Sequence, residues 1–211
     1  MTRDLICGSL DVSRETIDRL SHFEQTLFKW NPKINLVSKS SLQDFWTRHI
    51  VDSAQVFLLA EDYISKEEDT NWLDIGSGGG FPGLVIAILA AERAARLSVT
   101  LIESDKRKAA FLRTAARECD VRVKVISDRI EKVDPQNANF LSARALADLD
   151  LLFEFSERHL HPRGISFFPK GATWKKEVDN AARRWRFDQE EITSLTEEEA
   201  VVLKIKGVSR V

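Results

Sequence analysis

The sequence predicts an α/β fold: a parallel sheet covered by helices on both faces, with a helical extension at the N-terminus. Three observations predict it. Residues 71–90 read as strand, glycine turn and helix. From Asn71 onward, short apolar runs alternate with helical segments, the pattern of strands joined by crossover helices. Residues 1 to about 65 carry their apolar side chains at helical spacing instead.

The extension comes first. Ser13 is a capping type, and Ile17, Leu20, Phe23, Leu27 and Phe28 follow on one helical face. Asn31-Pro32 predicts the stop, because the residue before a proline is pushed out of the helical region. After a connector over 33–39, Ser41 and Asp44 have capping-box spacing. They open a helical run through Phe45, Trp46, Ile50, Val51, Val56, Phe57 and Leu58. The polar stretch 61–70, with Lys66-Glu-Glu-Asp69, is the softest boundary in the chain. It divides a helical extension (1–65) from an α/β domain (66–211).

The first predicted strand, 71–75, sets Trp72, Leu73 and Ile75 around Asp74. Glycines follow at 76, 78, 79, 80 and 83, then an apolar helix from Leu84. Pro82 suits the first helical turn, where its missing N–H is not needed. Such a unit holds nucleotide ligands in doubly wound sheets, with bare glycine backbone letting the ligand lie close. Gly78, Gly80 and Gly83 fit G-x-G-x-x-G, so a dinucleotide must be weighed. Asp74 argues against it, since an anion at the strand end repels a pyrophosphate. Glu103, at the end of the predicted strand 98–103, stands where a carboxylate holds ribose hydroxyls. S-adenosylmethionine suits both acids, having an amino group, a sulfonium, ribose hydroxyls and no phosphate. Taken singly, Asp74 is equally a turn cap and Glu103 a solvated strand end. Together they favour a methyl donor.

The next helix opens at Ser104-Asp105, both capping types. Lys106, Ala110, Arg113 and Arg117 share one of its faces, and that basic stripe fits either phosphate contact or a solvated surface. Further strands are predicted over 121–126, 139–143 and 164–169, and the late runs 186–192 and 200–206 complete seven. In this order they make the fold Rossmann-like. Ser127-Asp-Arg-Ile-Glu131 follows the third strand, and Ala143-Arg-Ala-Leu-Ala147 the fourth, both at carboxyl ends where ligands sit. A helix from about Asp148 to His159 comes next. Phe167 or Phe168 is a candidate for base stacking or for the core.

The net charge is −2 and the pI about 6.1, so the chain as a whole has no basic footprint for nucleic acid. Any such contact must be local. No apolar run approaches the roughly 20 residues of a membrane helix, and the N-terminus has no signal-peptide core. Cys7 and Cys119 lack the spacing of a disulfide framework or a zinc site. A cytoplasmic protein without a metal is expected.

The stretch Asp74-Ile-Gly-Ser-Gly-Gly-Gly-Phe-Pro-Gly83 resembles the bacterial small-subunit ribosomal RNA guanine-N7 methyltransferase family, the glucose-inhibited division protein B type. The likeness extends to Asn35-Leu36, Arg48-His-Ile-Val-Asp-Ser53, Lys106-Arg-Lys-Ala-Ala-Phe-Leu-Arg113 and Lys170-Gly171, and so covers most of the chain. It implies a class I S-adenosylmethionine-dependent methyltransferase whose seven-stranded, mostly parallel sheet has an antiparallel last strand. It also implies methylation of guanine N7 in small-subunit ribosomal RNA, with that RNA or the small ribosomal subunit as substrate; a monomer is the expected state, although no motif sets it.

Carried onto this chain, the resemblance places Gly76, Gly78, Phe81, Ile130, Glu131 and Arg144 at the donor, beside Glu103 and with Asp74 in support. Arg144 would orient the donor, a phosphate or guanine O6, the alternative being a buried arginine paired with an acid. Arg48 and His49 would stand at the mouth of the site near RNA phosphate. His49 is equally suited to docking the helices on the sheet. Lys106, Arg113 and Lys170 are the remaining candidate RNA contacts, and Lys170 is otherwise a strand-end lysine in solvent. Glu197-Glu-Glu199 is expected to face away from RNA. No catalytic acid or base is expected. The fourth strand lacks Asn-Pro-Pro-Tyr, neither cysteine is in a context for carbon-5 methylation, and guanine N7 has a free lone pair with no proton to remove.

Overall fold

Ser13 caps the first helix, α1 (Arg14–Ile34), its Oγ accepting the Thr16 amide at 3.2 Å. The computed structural model describes residues 11–65 and 67–211; residues 1–10, with Cys7, and Lys66 lie outside the described residues. The helix passes the expected stop at Asn31-Pro32 and ends three residues later, where Asn35 turns left-handed at φ 50°. Proline's fixed φ is itself helical, so Pro32 fits the last turn. Asn31 acts through its side chain instead. Its Oδ1 accepts the Leu36 and Val37 amides at 2.7 and 2.9 Å, and its Nδ2 donates to the Val37 carbonyl at 3.2 Å. It shapes the exit loop and does not break the helix.

The expected capping box does not form. Ser40–Leu42 is a 3-10 turn, and Ser38 takes the capping role, accepting the Ser41 amide on Oγ at 3.2 Å. A π-helical turn, Trp46–Val51, then runs directly into α2 (Asp52–Glu61). Such turns insert an extra residue and are frequent at functional sites.

The sheet has seven strands: β1 (Thr70–Ile75), β2 (Leu97–Ile102), β3 (Lys124–Ile126), β4 (Ala138–Ser142), β5 (Leu160–Lys170), β6 (Trp185–Thr193) and β7 (Val201–Arg210). Their order is β3-β2-β1-β4-β5-β7-β6, with β1 to β5 parallel and β7 antiparallel to both neighbours. The reversed last strand is the one expected. The third strand is shorter than expected because residue 121 belongs to the preceding helix exit, its amide donating to the Ala116 carbonyl at 3.0 Å.

Four more helices cover the sheet: α3 (Gly83–Arg93), α4 (Lys106–Glu118), α5 (Leu149–His159) and α6 (Trp174–Ala181). Asp105 caps α4 and Asp148 caps α5. Two apolar clusters form, one on each sheet face. Trp72 and Phe167 point into the first with α1, α2, α3 and α4, while Leu73 and Phe168 point into the second with α5 and α6. Neighbouring strand residues thus serve opposite faces, as a period of two requires. Phe167 and Phe168 are both fully buried, so both are core and neither offers a stacking face. The helices of the extension share the first cluster with the sheet, Phe23 lying 5.2 Å from Phe81.

Candidate active site

The glycine turn joins β1 to α3. Gly76 has φ +64°, and a Cβ there would stand 2.5 Å from Leu146 Cδ1, so any side chain would be both strained and crowded. Gly83 faces a different limit. A Cβ on it would stand 2.6 Å from both Cβ and Oδ2 of Asp74. Asp74 is completely buried, and its Oδ1 accepts from Ser142 Oγ at 2.7 Å, while that Oγ accepts from Trp72 Nε1 at 2.9 Å. Burial pushes the Asp74 carboxyl up to about 6, against the pull of Ser142, Ser77 and the Gly83 amide. Asp74 therefore stands behind the turn, under the start of α3, and reaches no solvent.

Glu103 faces the turn from the end of β2. Its Oε2 accepts the Gly78 amide at 2.8 Å and its Oε1 the Asp105 amide at 2.8 Å. It is 8% exposed. Each carboxylate oxygen can accept twice, so both keep capacity for a ligand hydroxyl.

Arg144 stands at the end of β4 and gathers the π-turn to it. Its Nη1 donates to the Arg48 carbonyl and to Asp52 Oδ2, both at 3.0 Å. Its Nη2 meets His49 Nδ1 at 2.8 Å, and its guanidinium lies 4.8 Å from the Phe81 ring centre. His49 is buried and stacks on Phe81 at 4.7 Å. Burial, then the charges of Arg144 and Arg48, push its pKa down to about 3. The ring is neutral at pH 7. Because a guanidinium N–H only donates, Nδ1 is the acceptor and Nε2 carries the proton. That Nε2 is buried without a hydrogen-bond partner.

Arg144 thus has the acidic partner that its structural alternative called for, and His49 docks the π-turn on the sheet. Both also line a crevice of about 870 Å³ with Arg48, Asp44, Thr196 and Glu197. Glu197, expected away from RNA, lines this crevice beside Thr196. Phe81 is 4% exposed and divides the glycine turn from the crevice, packing against His49 and Arg144.

The remaining expected residues lie farther out. Ile130 and Glu131 form a 3-10 turn, Ile130–Lys132, after β3, with Ile130 half-buried and Glu131 exposed. Lys106 is exposed at the start of α4. Arg113 is exposed, donates to the Val125 carbonyl at 3.0 Å, and lines a groove with Arg117 and Arg122. Lys170 corrects its solvated alternative. Its side chain is only 9% exposed, and its Nζ donates to the Ala147 carbonyl at 2.8 Å and pairs with Glu177 at 2.7 Å. Two of its three N–H groups are thus engaged, and it braces the turn after β4.

Three contributors were not singled out from the sequence. Asp52 holds Arg144, Ser142 links Asp74 to Trp72, and Leu146 lies on Gly76 beside Ala145, whose φ is 51°. Asp52 had a signal. It falls four residues after Arg48 and three after His49, within one helical turn. Cys119 is buried and its thiol is pushed up to about 12, so it is no nucleophile.

Solved structures share this architecture at low identity. The O-methyltransferase from Bacillus cereus, solved in complex with SAH, superposes with a TM-score of 0.58 at 14% identity, over 88% of this chain and 90% of that one. A SAM-dependent methyltransferase from Aquifex aeolicus gives 0.56 at 13%, over 86% and 96%. These fix the fold as the Rossmann-like methyltransferase fold. Closer relatives exist by sequence. The ribosomal RNA small subunit methyltransferase G of Ruegeria sp. (strain TM1040) is 62% identical over 202 residues, 96% of each chain. The protein of the same name from Cereibacter sphaeroides (strain ATCC 17029 / ATH 2.4.9) is 44% identical over the full length of both. The family described as rRNA small subunit methyltransferase G matches residues 16–204, from the first turns of α1 into β7. Glycine turn, buried Glu103 and crevice arginine all lie inside that span, and the chain belongs to this family.

Proposed function

We propose that the protein transfers a methyl group from S-adenosylmethionine to N7 of a guanine in small-subunit ribosomal RNA. The observation that carries the donor is the buried Glu103 carboxylate facing the Gly78 amide. A carboxylate there suits ribose hydroxyls. Gly76 and Gly78 give the backbone approach, Asp74 fixes the turn from behind, and Phe81 walls it. Ile130 packs on the adenine, with Glu131 or a neighbouring backbone group reading its edge. Bound there, the donor supplies an electrophilic methyl group on a sulfonium. No chain residue takes a proton in this account.

The state of His49 supports an acceptor that needs no base. Its Nδ1 lone pair is occupied by Arg144 and its pKa lies near 3. Guanine N7 offers a lone pair without a proton, so the site has only to align donor and acceptor at roughly 3–3.5 Å. Arg144 is positioned for this. Asp52, the Arg48 carbonyl and His49 occupy three of its five N–H groups, leaving two for the donor, an RNA phosphate or guanine O6. It does not bond N7, which would tie up the attacking lone pair. Arg144→Ala is expected to lower kcat/KM at least tenfold, the scale of a hydrogen bond to a charged group. Unchanged donor affinity and turnover would remove it from the site.

RNA contacts in this proposal come from Arg48 at the crevice and from Lys106 and Arg113 on α4. His49 contributes through the crevice wall. The extension over 1–65 covers one face of a methyltransferase domain over 66–211. The protein acts as a cytoplasmic monomer on the RNA or the assembled subunit. Among the described residues, no helix is long and apolar enough to cross a membrane.

The test is methylation of small subunits from cells lacking the activity, using radiolabelled S-adenosylmethionine. Nuclease mapping and aniline cleavage, which reports N7-methylguanine, locate the product. Label at one guanine N7 is the expected result. Label on another atom, or none on subunits or protein-free RNA despite donor binding, would overturn the acceptor.

A further inference from the structure

Ile130 and Glu131 sit in a single 3-10 turn of three residues, whose own hydrogen bonds are those of the Lys132 amide to the Arg129 carbonyl at 3.0 Å and of the Val133 amide to the Ile130 carbonyl at 3.3 Å. Two consecutive residues at the far end of α5 hold it. Arg158 donates from Nε and Nη2 to the Val133 carbonyl at 3.2 and 2.8 Å. His159 Nε2 meets the Ile130 carbonyl at 3.1 Å, and His159 is completely buried. A carbonyl only accepts, so Nε2 carries the ring proton. The other nitrogen, Nδ1, is then a buried acceptor with no partner. The Val133 amide also points at the Ile130 carbonyl, at 3.3 Å. Both carbonyls of the turn that face inward are thus fixed from one helix end.

The same helix begins at the Asp148 cap, immediately after the turn that carries Arg144. It is a strut of 11 residues that runs from the turn after β4 to the 130–133 turn after β3. We propose that Arg158 and His159 are positioning residues for the donor: they set the height of the 130–133 turn and so the depth at which the adenine end is gripped. This rests on placing Ile130 and Glu131 at the donor. Neither Arg158 nor His159 touches the reacting atoms, so their loss falls on donor binding and not on the chemical step.

Calorimetric titration of the full chain with S-adenosylhomocysteine, together with steady-state methylation of small subunits, tests this. Arg158→Ala is expected to raise the ligand Kd and the donor KM roughly tenfold, the scale of a lost charged hydrogen bond. The KM for subunits and the kcat at saturating donor stay within about twofold. Arg158→Lys recovers part of the loss by restoring one donor. His159→Gln, which keeps an N–H donor, binds more tightly than His159→Leu, which does not. Glu131→Ala and Ile130→Gly provide the reference. If those two weaken binding while the Arg158 variants do not, the bracing role is wrong. If none of the variants alters binding, the turn is not at the donor and the placement beneath the proposal falls with it. Equal losses in kcat and both KM values would make Arg158 a general fold residue and overturn the proposal.

Discussion

At the scale of single residues, the site is built from close approaches and unusual protonation states. Gly83 is the most crowded glycine, because α3 begins directly on Asp74 and Leu101. Gly83→Ala is expected to destabilise by about 2–3 kcal/mol through overpacking against the buried Asp74 and Leu101 side chains, seen as a lower urea midpoint. An unchanged midpoint would mean the start of α3 shifts freely. His49 gives a pH dependence whose sign can be stated. Its pKa is 6.5 when unfolded and about 3 in the fold. The unfolded chain takes up the proton first, so the stability His49 contributes is present above 6.5 and is lost as pH falls toward 3. Asp74 acts oppositely between 3.8 and about 6, where the folded state holds its proton more tightly. His49→Asn keeps an acceptor for Arg144 and does not titrate. Relative to that variant, the native protein is expected to lose about 2 kcal/mol between pH 7 and pH 5. Parallel stability curves for the two proteins would show that His49 is not buried neutral.

At the scale of elements, what the sequence revealed and what it hid have a physical division. The glycine turn and Glu103 were legible because a ligand lying on backbone demands glycine at fixed spacing, and a strand end demands little else. The Arg144 cluster was not, since its partners are 92 to 96 residues away and tertiary packing chose them. Lys170 was misplaced because a strand-end lysine looks the same whether Glu177 and the Ala147 carbonyl receive it or water does. The π-turn left no mark, because one added residue per turn hardly alters apolar spacing over six residues. The stop of α1 differs from the expected one for a related reason. Asn31-Pro32 reads as a backbone stop, while the function of Asn31 lies in its side-chain amide. Asn31→Ala is expected to cost about 2 kcal/mol through its lost hydrogen bonds to the exit loop. Faster hydrogen exchange at Leu36 and Val37 should accompany it. Exchange rates equal to the native protein's would remove Asn31 as the organiser of that loop.

At the scale of the whole molecule, one chain combines a fold shared at 13–14% identity with a site that such distant relatives do not specify. The net charge of −2 leaves RNA attraction to local groups, and Arg113, Arg117 and Arg122 lining one groove show how a mildly acidic chain can still present positive surface. The helical extension, the π-turn and the loop after β4 converge on a crevice whose lining histidine, His49, has no lone pair to give. In the proposed reaction this site aligns two reactants and moves no proton. Single-turnover methylation of small subunits at saturating donor, followed from pH 6.5 to 8.5, is the measurement that decides this. The rate constant is expected to vary by less than about twofold across that range. A rate climbing about tenfold per pH unit would reveal a general base and contradict it.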